Sequence, residues 1–337
     1  MKRLCALLLV TLAFLTSCTH PPFTATMQFM KTSAAGGTFS VISTRPIQTY
    51  QWVFGDGETS TDAQPSHVYP ERGEYTANVT VSDMDGNFTS KHERITVGYD
   101  WHVYGELQAV IDNAEVGDTI FVHRHAQGSD REYSYSHITV MKELEIIGLD
   151  ECRMSVLKYE GTAGMLSGFV LHGEVERSSL TLLESNPTIA NCVFADNEFE
   201  YRYGGGVHAR NSAATFEDCR FVGNTAGYGG GAVFAEGTYA FPSFYRCEFT
   251  QNESSNAGGA ILVRGILSEP PEQSAVFPTI QECLFIENRA AQQLGSPVSG
   301  GAIHIGTGCH VNLVSNVFQG NSPCDVGYDD IKGVDHN

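Results

Sequence analysis

Asp218-Cys219-Arg220-Phe221-Val222-Gly223-Asn224, with Gly230-Gly231-Ala232-Val233 a few residues later, is the phrase that decides the fold. Its first half recurs at 191–197 (N-C-V-F-A-D-N), 246–252 (R-C-E-F-T-Q-N), 282–288 (E-C-L-F-I-E-N) and 315–321 (S-N-V-F-Q-G-N), so four copies carry Cys and five carry F-x-x-N. Its second half recurs as Gly204-Gly205-Gly206-Val207, Gly258-Gly259-Ala260-Ile261 and Gly300-Gly301-Ala302-Ile303, alternating with the first. Successive Phe residues (194, 221, 249, 285, 318) are 27, 28, 36 and 33 apart. Repeats of this length mean stacked units.

The runs between the Gly and Asn residues are short and rich in Val, Ile and Phe. They lack the 3.6-residue spacing of helical repeats and read as coils of short strands. Stacking puts each strand beside its equivalent, about 4.7–4.9 Å away. The Phe column then fills the interior. Cys192, Cys219, Cys247 and Cys283, two residues earlier on a strand, point the same way. Asn197, Asn224, Asn252, Asn288 and Asn321 belong at a turn, where Asn tolerates the left-handed conformation and the amides can bond to one another. The Gly-Gly pairs serve the opposite turn. Unequal steps come from inserted loops at 265–275 and 292–299. After each Gly-Gly, Val207, Val233, Ile261 and Ile303 face inward. His208, Phe234, Leu262 and His304 then form an outward stripe, a candidate ligand-binding surface. Tyr201, Arg202, Tyr203 and Tyr228, just before Gly-Gly turns, would add surface for stacking on sugars.

The alternation of F-x-x-N with G-G-A-[IV] resembles the repeats of chlamydial-type polymorphic outer-membrane proteins and, more broadly, the right-handed parallel β-helix (pectin-lyase-like) fold. That resemblance implies an architecture and leaves the activity open, because the fold hosts lyases, hydrolases, epimerases, adhesins and tailspikes. Its lyases cluster carboxylates around Ca²⁺ beside an Arg or Lys base, and its hydrolases set two or three Asp on adjacent rungs. The candidate column here, one residue before each Cys, includes Asp218, Arg246 and Glu282. Its signs alternate from rung to rung, the pattern of an ion-pair ladder. The G-H-G and N-T-D strings of polygalacturonase-like hydrolases do not occur. No metal site is expected: there is no C-x-x-C, and a linear thiol stack does not make a tetrahedron. No cofactor is expected either, with Ca²⁺ entering only under a lyase reading.

The β-helix domain is placed at 99–337. Leu107, Val110, Ile111 and Ala114 have helical spacing and predict a short capping helix, which would shield the first rung's edge. Residues 27–98 read as short antiparallel strands with turn signals. The string W-x-F-G-D-G (52–57), P-x-H-x-Y (65–69) and G-x-Y-T (73–76) is similar to the PKD domain, an Ig-like sandwich. Trp52, Phe54 and Tyr75 are expected in its core, His67 as a hydrogen-bonded structural histidine, and Asp56 as the residue that shapes the turn.

Met1–Ser17 reads as a signal peptide: Lys2 and Arg3, then an apolar run too short to span a bilayer. Leu15-Thr16-Ser17-Cys18 resembles the bacterial lipobox, which implies lipidation, palmitate included, at Cys18, with 18–26 as a tether. Thr19 in place of Asp then points to the outer membrane or cell surface. The formal net charge of −19 argues against nucleic acid as a partner and disfavours polyanionic glycans unless a cation bridges the contact. Of nine Cys, the four in the repeat read as inward apolar groups. Cys309 and Cys324 are the pair expected to bridge. The whole reads as an all-β protein: an Ig-like β-sandwich, then a right-handed parallel β-helix with a short N-terminal capping helix. The leading function is a lipid-anchored surface protein presenting the helix for adhesion, binding a glycan or protein without catalysis. The alternative is a polysaccharide lyase or glycoside hydrolase acting on an acidic polysaccharide.

Overall fold

Phe194, Phe221, Phe249, Phe285 and Phe318 stack ring on ring, with centroids 4.7, 4.5, 4.7 and 5.0 Å apart and planes within 12° of parallel. Parallel pairing keeps the five in register. The first four are fully buried, each burial contributing roughly 1.5–3 kcal/mol. This column is the axis of the larger part of a computed structural model that describes residues 22–123, 137–173, 177–200, 202–238, 240–265, 278–291, 299–307 and 309–328. The chain divides into two units. One holds Gly36–Val68 and Glu74–Ile95 with the chain up to Thr32; the second holds Thr96–Asn337 with the short segments Ser33–Ala35 and Tyr69–Gly73.

One coil of the second unit shows how the phrase folds. Thr215–Glu217 and Arg220–Val222 are strands joined by a bend at Asp218, whose φ is 53°. The same left-handed bend recurs at Asn191, Arg246, Glu282 and Ser315. A second left-handed residue follows each Phe strand: Asp196, Gly223, Gln251, Glu287 or Gly320. It precedes the ladder Asn, which corrects the expectation that Asn itself would adopt that conformation. The Asn does something else. It is fully buried at 197, 224, 252 and 288. Each Nδ2 donates to the Oδ1 of the next rung's Asn, at 2.6, 2.8, 2.9 and 3.0 Å from Asn197 to Asn321. The same oxygens also accept backbone N–H groups of the preceding Asn. Burial of four amides costs little because their hydrogen-bonding capacity is met.

The Gly-Gly turn is a matter of space. A Cβ on Gly231 would lie 2.2 Å from the carbonyl oxygen of Gly259, and one on Gly259 would lie 2.1 Å from that of Gly301. Beyond the turn runs an eight-stranded parallel sheet: Ile138–Val140, Leu157–Glu160, Leu180–Leu183, Val207–Arg210, Val233–Gly237, Ile261–Gly265, Gly300–Ile305 and Cys324–Tyr328. The helix Leu107–Asn113 turns Leu107 and Ile111 into the same core, joined by Ala114.

Cys192, Cys219, Cys247 and Cys283 are buried and point inward, as expected. The thiol of the neighbouring rung, together with burial, pushes Cys219 and Cys283 far above the usual thiol range and Cys247 up to about 12. The expected Cys309–Cys324 bridge is not formed, and both residues are thiols. Cys324 lies on the last strand of the eight-stranded sheet, and its Sγ sits 3.5 Å from the Ser299 carbonyl.

The other unit pairs a three-stranded sheet (Ala25–Ser33, Gly36–Ser43, Ser66–Val68) with a four-stranded one (Thr59–Ser60, Thr49–Val53, Gly73–Ser82, Phe88–Val97). Phe39, Trp52 and Phe54 are its buried aromatic core. Tyr75, expected there, is only half-buried: it points to the same face as buried Ala77, Val79 and Val81, on a strand whose inner face fills only from Ala77 onward. His67 is buried against the Phe54 ring, 4.0 Å between centroids, and its Nε2 lies 2.7 Å from Asp56 Oδ2. Asp56 Oδ1 accepts the Glu58 N–H across the turn. Burial alone would raise the Asp56 pKa; the Glu58 N–H and His67 outweigh it and hold the carboxyl below its ordinary range.

Candidate functional site

Alternation along the eight-stranded sheet sends every second residue away from the core. In-register pairing lines up one outward column as Thr139, Lys158, Thr181, His208, Phe234, Leu262, His304 and Gly327. The column two residues on contains Glu160, Leu183, Arg210, Glu236 and Arg264. A cleft of about 720 Å³ runs over the first five residues of the first column and over Glu236 and Arg264 of the second.

The stripe His208, Phe234, Leu262, His304 is therefore a true column, yet most of it is covered. Phe234, Leu262 and His304 are buried, and only His208 is partly open. Phe234 and Leu262 pack with Ala257 and Tyr203 into a small apolar cluster outside the main core. Phe234 is covered by Tyr203, from just before the Gly-Gly turn, and by Arg264 of the neighbouring column. Tyr203 stacks on Phe234 with centroids 4.3 Å apart, and the Arg264 guanidinium lies 4.7 Å from the Tyr203 ring and 4.8 Å from that of Phe234. Arg264 Nη1 donates to the Tyr203 hydroxyl at 3.1 Å, and Nη2 donates to Glu236 Oε2 at 2.7 Å. His208 Nε2 approaches the other oxygen of Glu236 at 3.4 Å. The His208 bond, countered by burial and reinforced by Arg264, holds the Glu236 carboxyl down to about 2. The cleft thus has an aromatic floor with a fixed guanidinium.

Its rim is cationic. Lys158, Arg177 and Arg202 line it with Arg264, against Glu236 as the one carboxylate among the described lining residues. Lys158 is paired with Glu160 at 2.7 Å, whereas Arg177 and Arg202 are exposed. Arg264 and Arg177 escaped the sequence reading, whereas Arg202 was picked out with its tyrosine neighbours. Arg264 could have been found by counting two residues past Leu262 in the repeat; Arg177 lies outside the repeated motifs. Tyr203 is in the cleft, Tyr228 is exposed with its ring 5.5 Å from that of Tyr203, and Tyr201 lies outside the described residues.

Asp218, Arg246 and Glu282 occupy the left-handed bend before each Cys, and none lines the cleft. Arg246 grips Asp218 with two hydrogen bonds of 2.9 Å, which lower the Asp218 pKa, and comes within 3.8 Å of Glu217. Glu282 accepts from Gln281 at 3.1 Å. Arg220 and Glu248, one residue past the Cys, pair at 3.2 Å. No group of three or more His, Cys, Asp and Glu among the described residues is arranged to hold a metal ion.

Residues 23–97 match the family model for the PKD domain, and residues 188–334 match the right handed beta helix region. The curated relatives align only in a short segment. Collagenase ColA of Bacillus cereus is 48% identical over 54 residues, 16% of this chain and 6% of that protein. Pre-pro-metalloprotease PrtV of Vibrio cholerae is 39% identical over 51 residues, 15% of this chain and again 6% of the relative. The chain therefore spans a small fraction of the relatives it matches. Among solved structures, the PKD1 domain of Vibrio anguillarum Epp covers 23% of this chain and 94% of its own at 24% identity and a TM-score of 0.22. The family 28 exopolygalacturonase of Yersinia enterocolitica covers 90% of this chain and 84% of its own at 8% identity and a TM-score of 0.27. Superpositions this loose carry no argument about activity. What the sequence and family matches do establish is a chain that joins a PKD domain to a right-handed parallel β-helix.

Proposed function

We propose that this is an exported, lipid-anchored surface protein whose β-helix binds an anionic glycan in the cleft along the eight-stranded sheet. The observation that carries the reading is the cleft's charge. Among the described lining residues four cations face one carboxylate, with Glu160 beside Lys158 just outside the lining, in a chain of net charge −19. The acidity of the whole chain argued against polyanionic ligands. Charges farther away than a Debye length, about 10 Å at 0.1 M salt, are largely screened, so the local set governs capture. Guanidinium groups bind carboxylates and sulfates through paired N–H donors, and the partly open Tyr203 ring, backed by buried Phe234, offers apolar area to a sugar ring. Glu236, ionised and held between His208 and Arg264, acts as the counter-charge that orients Arg264 and is a poor proton donor at neutral pH. This supports binding over turnover.

The test is calorimetry of the full chain with uronate polymers and with neutral glucans. Binding should favour the uronates, weaken with added salt, and weaken in Arg177→Ala and Arg202→Ala, which touch no core contact. Equal binding of neutral and acidic polymers would sink the charge argument. Unsaturated-product absorbance during the titration would replace binding by lyase action. Anchoring is part of the same proposal: Cys18→Ser should abolish incorporation of labelled palmitate and release the protein from membranes, and unchanged labelling would remove the lipid from the account.

A further inference from the structure

A second cluster lies outside the cleft, on two strands that the glycan-binding reading does not use. Asp100–Val103 runs parallel to Thr119–Val122 and sets His102 opposite Phe121. The two rings are 5.1 Å apart at 18°. One alternation further along, Tyr104 lies against His123, 4.4 Å apart at 14°. Val103 and Val122, between these positions, are buried, so the four rings share the outer face. Histidine and aromatic thus alternate around a square, and the two imidazoles meet across its diagonal. His102 Nδ1 stands 2.9 Å from His123 Nε2. His102 is exposed and His123 partly so.

We propose that His102 and His123 form a bidentate imidazole site for a borderline divalent transition-metal ion, of the Zn(II), Ni(II) or Cu(II) class. Metal–nitrogen bonds of about 2.0–2.1 Å put two ligating nitrogens about 3 Å apart at the right angles of a tetragonal Cu(II) or Ni(II) site and about 3.3 Å apart at the tetrahedral angle of Zn(II), close to the 2.9 Å already present. One ring N–H now faces the other ring's bare nitrogen. When a metal ion binds, that proton moves to the donor ring's other nitrogen, so both rings ligate in their neutral form. Stacking on Phe121 and Tyr104 already orders the rings, so chelation fixes little that was free. Two imidazole donors select ions that prefer nitrogen, whereas Ca²⁺ and Mg²⁺ require oxygen ligands. Water completes the coordination, leaving positions that an outside ligand can take.

The test titrates the full chain with Zn(II) by calorimetry and with Cu(II) by electron paramagnetic resonance, beside His102→Gln and His123→Gln. Each single variant should bind Zn(II) at least about tenfold more weakly, since one tenfold step is only about 1.4 kcal/mol. The Cu(II) spectrum should show coupling to two ring nitrogens in the native chain and to fewer in either variant. Both side chains are at the surface, so matched melting curves are expected and will separate lost ligation from lost structure. Unchanged Zn(II) affinity in either variant, absence of Zn(II) binding, or equal competition by Ca²⁺ would overturn the assignment and leave a hydrogen-bonded histidine pair.

Discussion

Asn252 illustrates how a single residue carries stability here. Its Nδ2 donates to Phe221 O and Asn288 Oδ1, and its Oδ1 receives the N–H and Nδ2 of Asn224. Asn252→Ala strands several of these groups in the interior, at about 1–3 kcal/mol for each one left without a partner. We expect a large fall in melting temperature for that variant and a much smaller one for half-buried Asn321→Ala at the end of the ladder. Equal falls would mean that burial does not govern the cost. Glu236 gives a pH signature. Its folded pKa of about 2 lies below the ordinary glutamate value of 4.5, so the stability it contributes is full above about pH 4.5 and is lost as pH falls toward 2. The stability gap between the native chain and Glu236→Gln should therefore shrink across that window in acid-unfolding curves. Thiol chemistry follows burial in the same way. Alkylation of the native chain, read by mass spectrometry, should mark Cys309 and Cys324 well before Cys192, Cys219, Cys247 and Cys283, because the four buried thiols are shielded from the reagent.

At the scale of elements, the repeat told most of what is seen. Identical residues at equal offsets announced the Phe, Cys and Asn columns, because only stacked parallel strands bring equivalents together. The Gly-Gly motif was legible for a steric reason, and it makes a sharp prediction. Gly231→Ala forces a Cβ into the backbone of the next rung and should disrupt folding of the β-helix, measured as lost hydrogen-exchange protection in the Val233–Gly237 and Ile261–Gly265 strands. Native-like protection there would show that the rung can move aside. Periodicity could not reveal the cleft. It told which residues leave the core and was silent on what lies over them, so His208, Phe234, Leu262 and His304 looked exposed until Tyr203 and Arg264 were seen to cover the middle of the stripe. The left-handed bend was misplaced by one residue for a related reason: Asn is a common left-handed residue, and here its side chain is wanted for the ladder instead.

For the whole molecule, net charge sums over surfaces that a ligand never meets together. The same chain that repels polyanions at long range gathers Lys158, Arg177, Arg202 and Arg264 on one face. The asparagine ladder has a different molecular consequence. Every amide gives to the neighbour on its C-terminal side and takes from the neighbour on its N-terminal side, so the file of amides has a direction and admits members only as entire turns of the solenoid. Growth or shortening of such a body is quantised. Excising 219–246 removes one full turn and rejoins Asn197's successor to an equivalent position, whereas excising half that length leaves an amide facing a carbon. Lineages that vary in length should then differ by whole turns, with everything fractional confined to the outer loops.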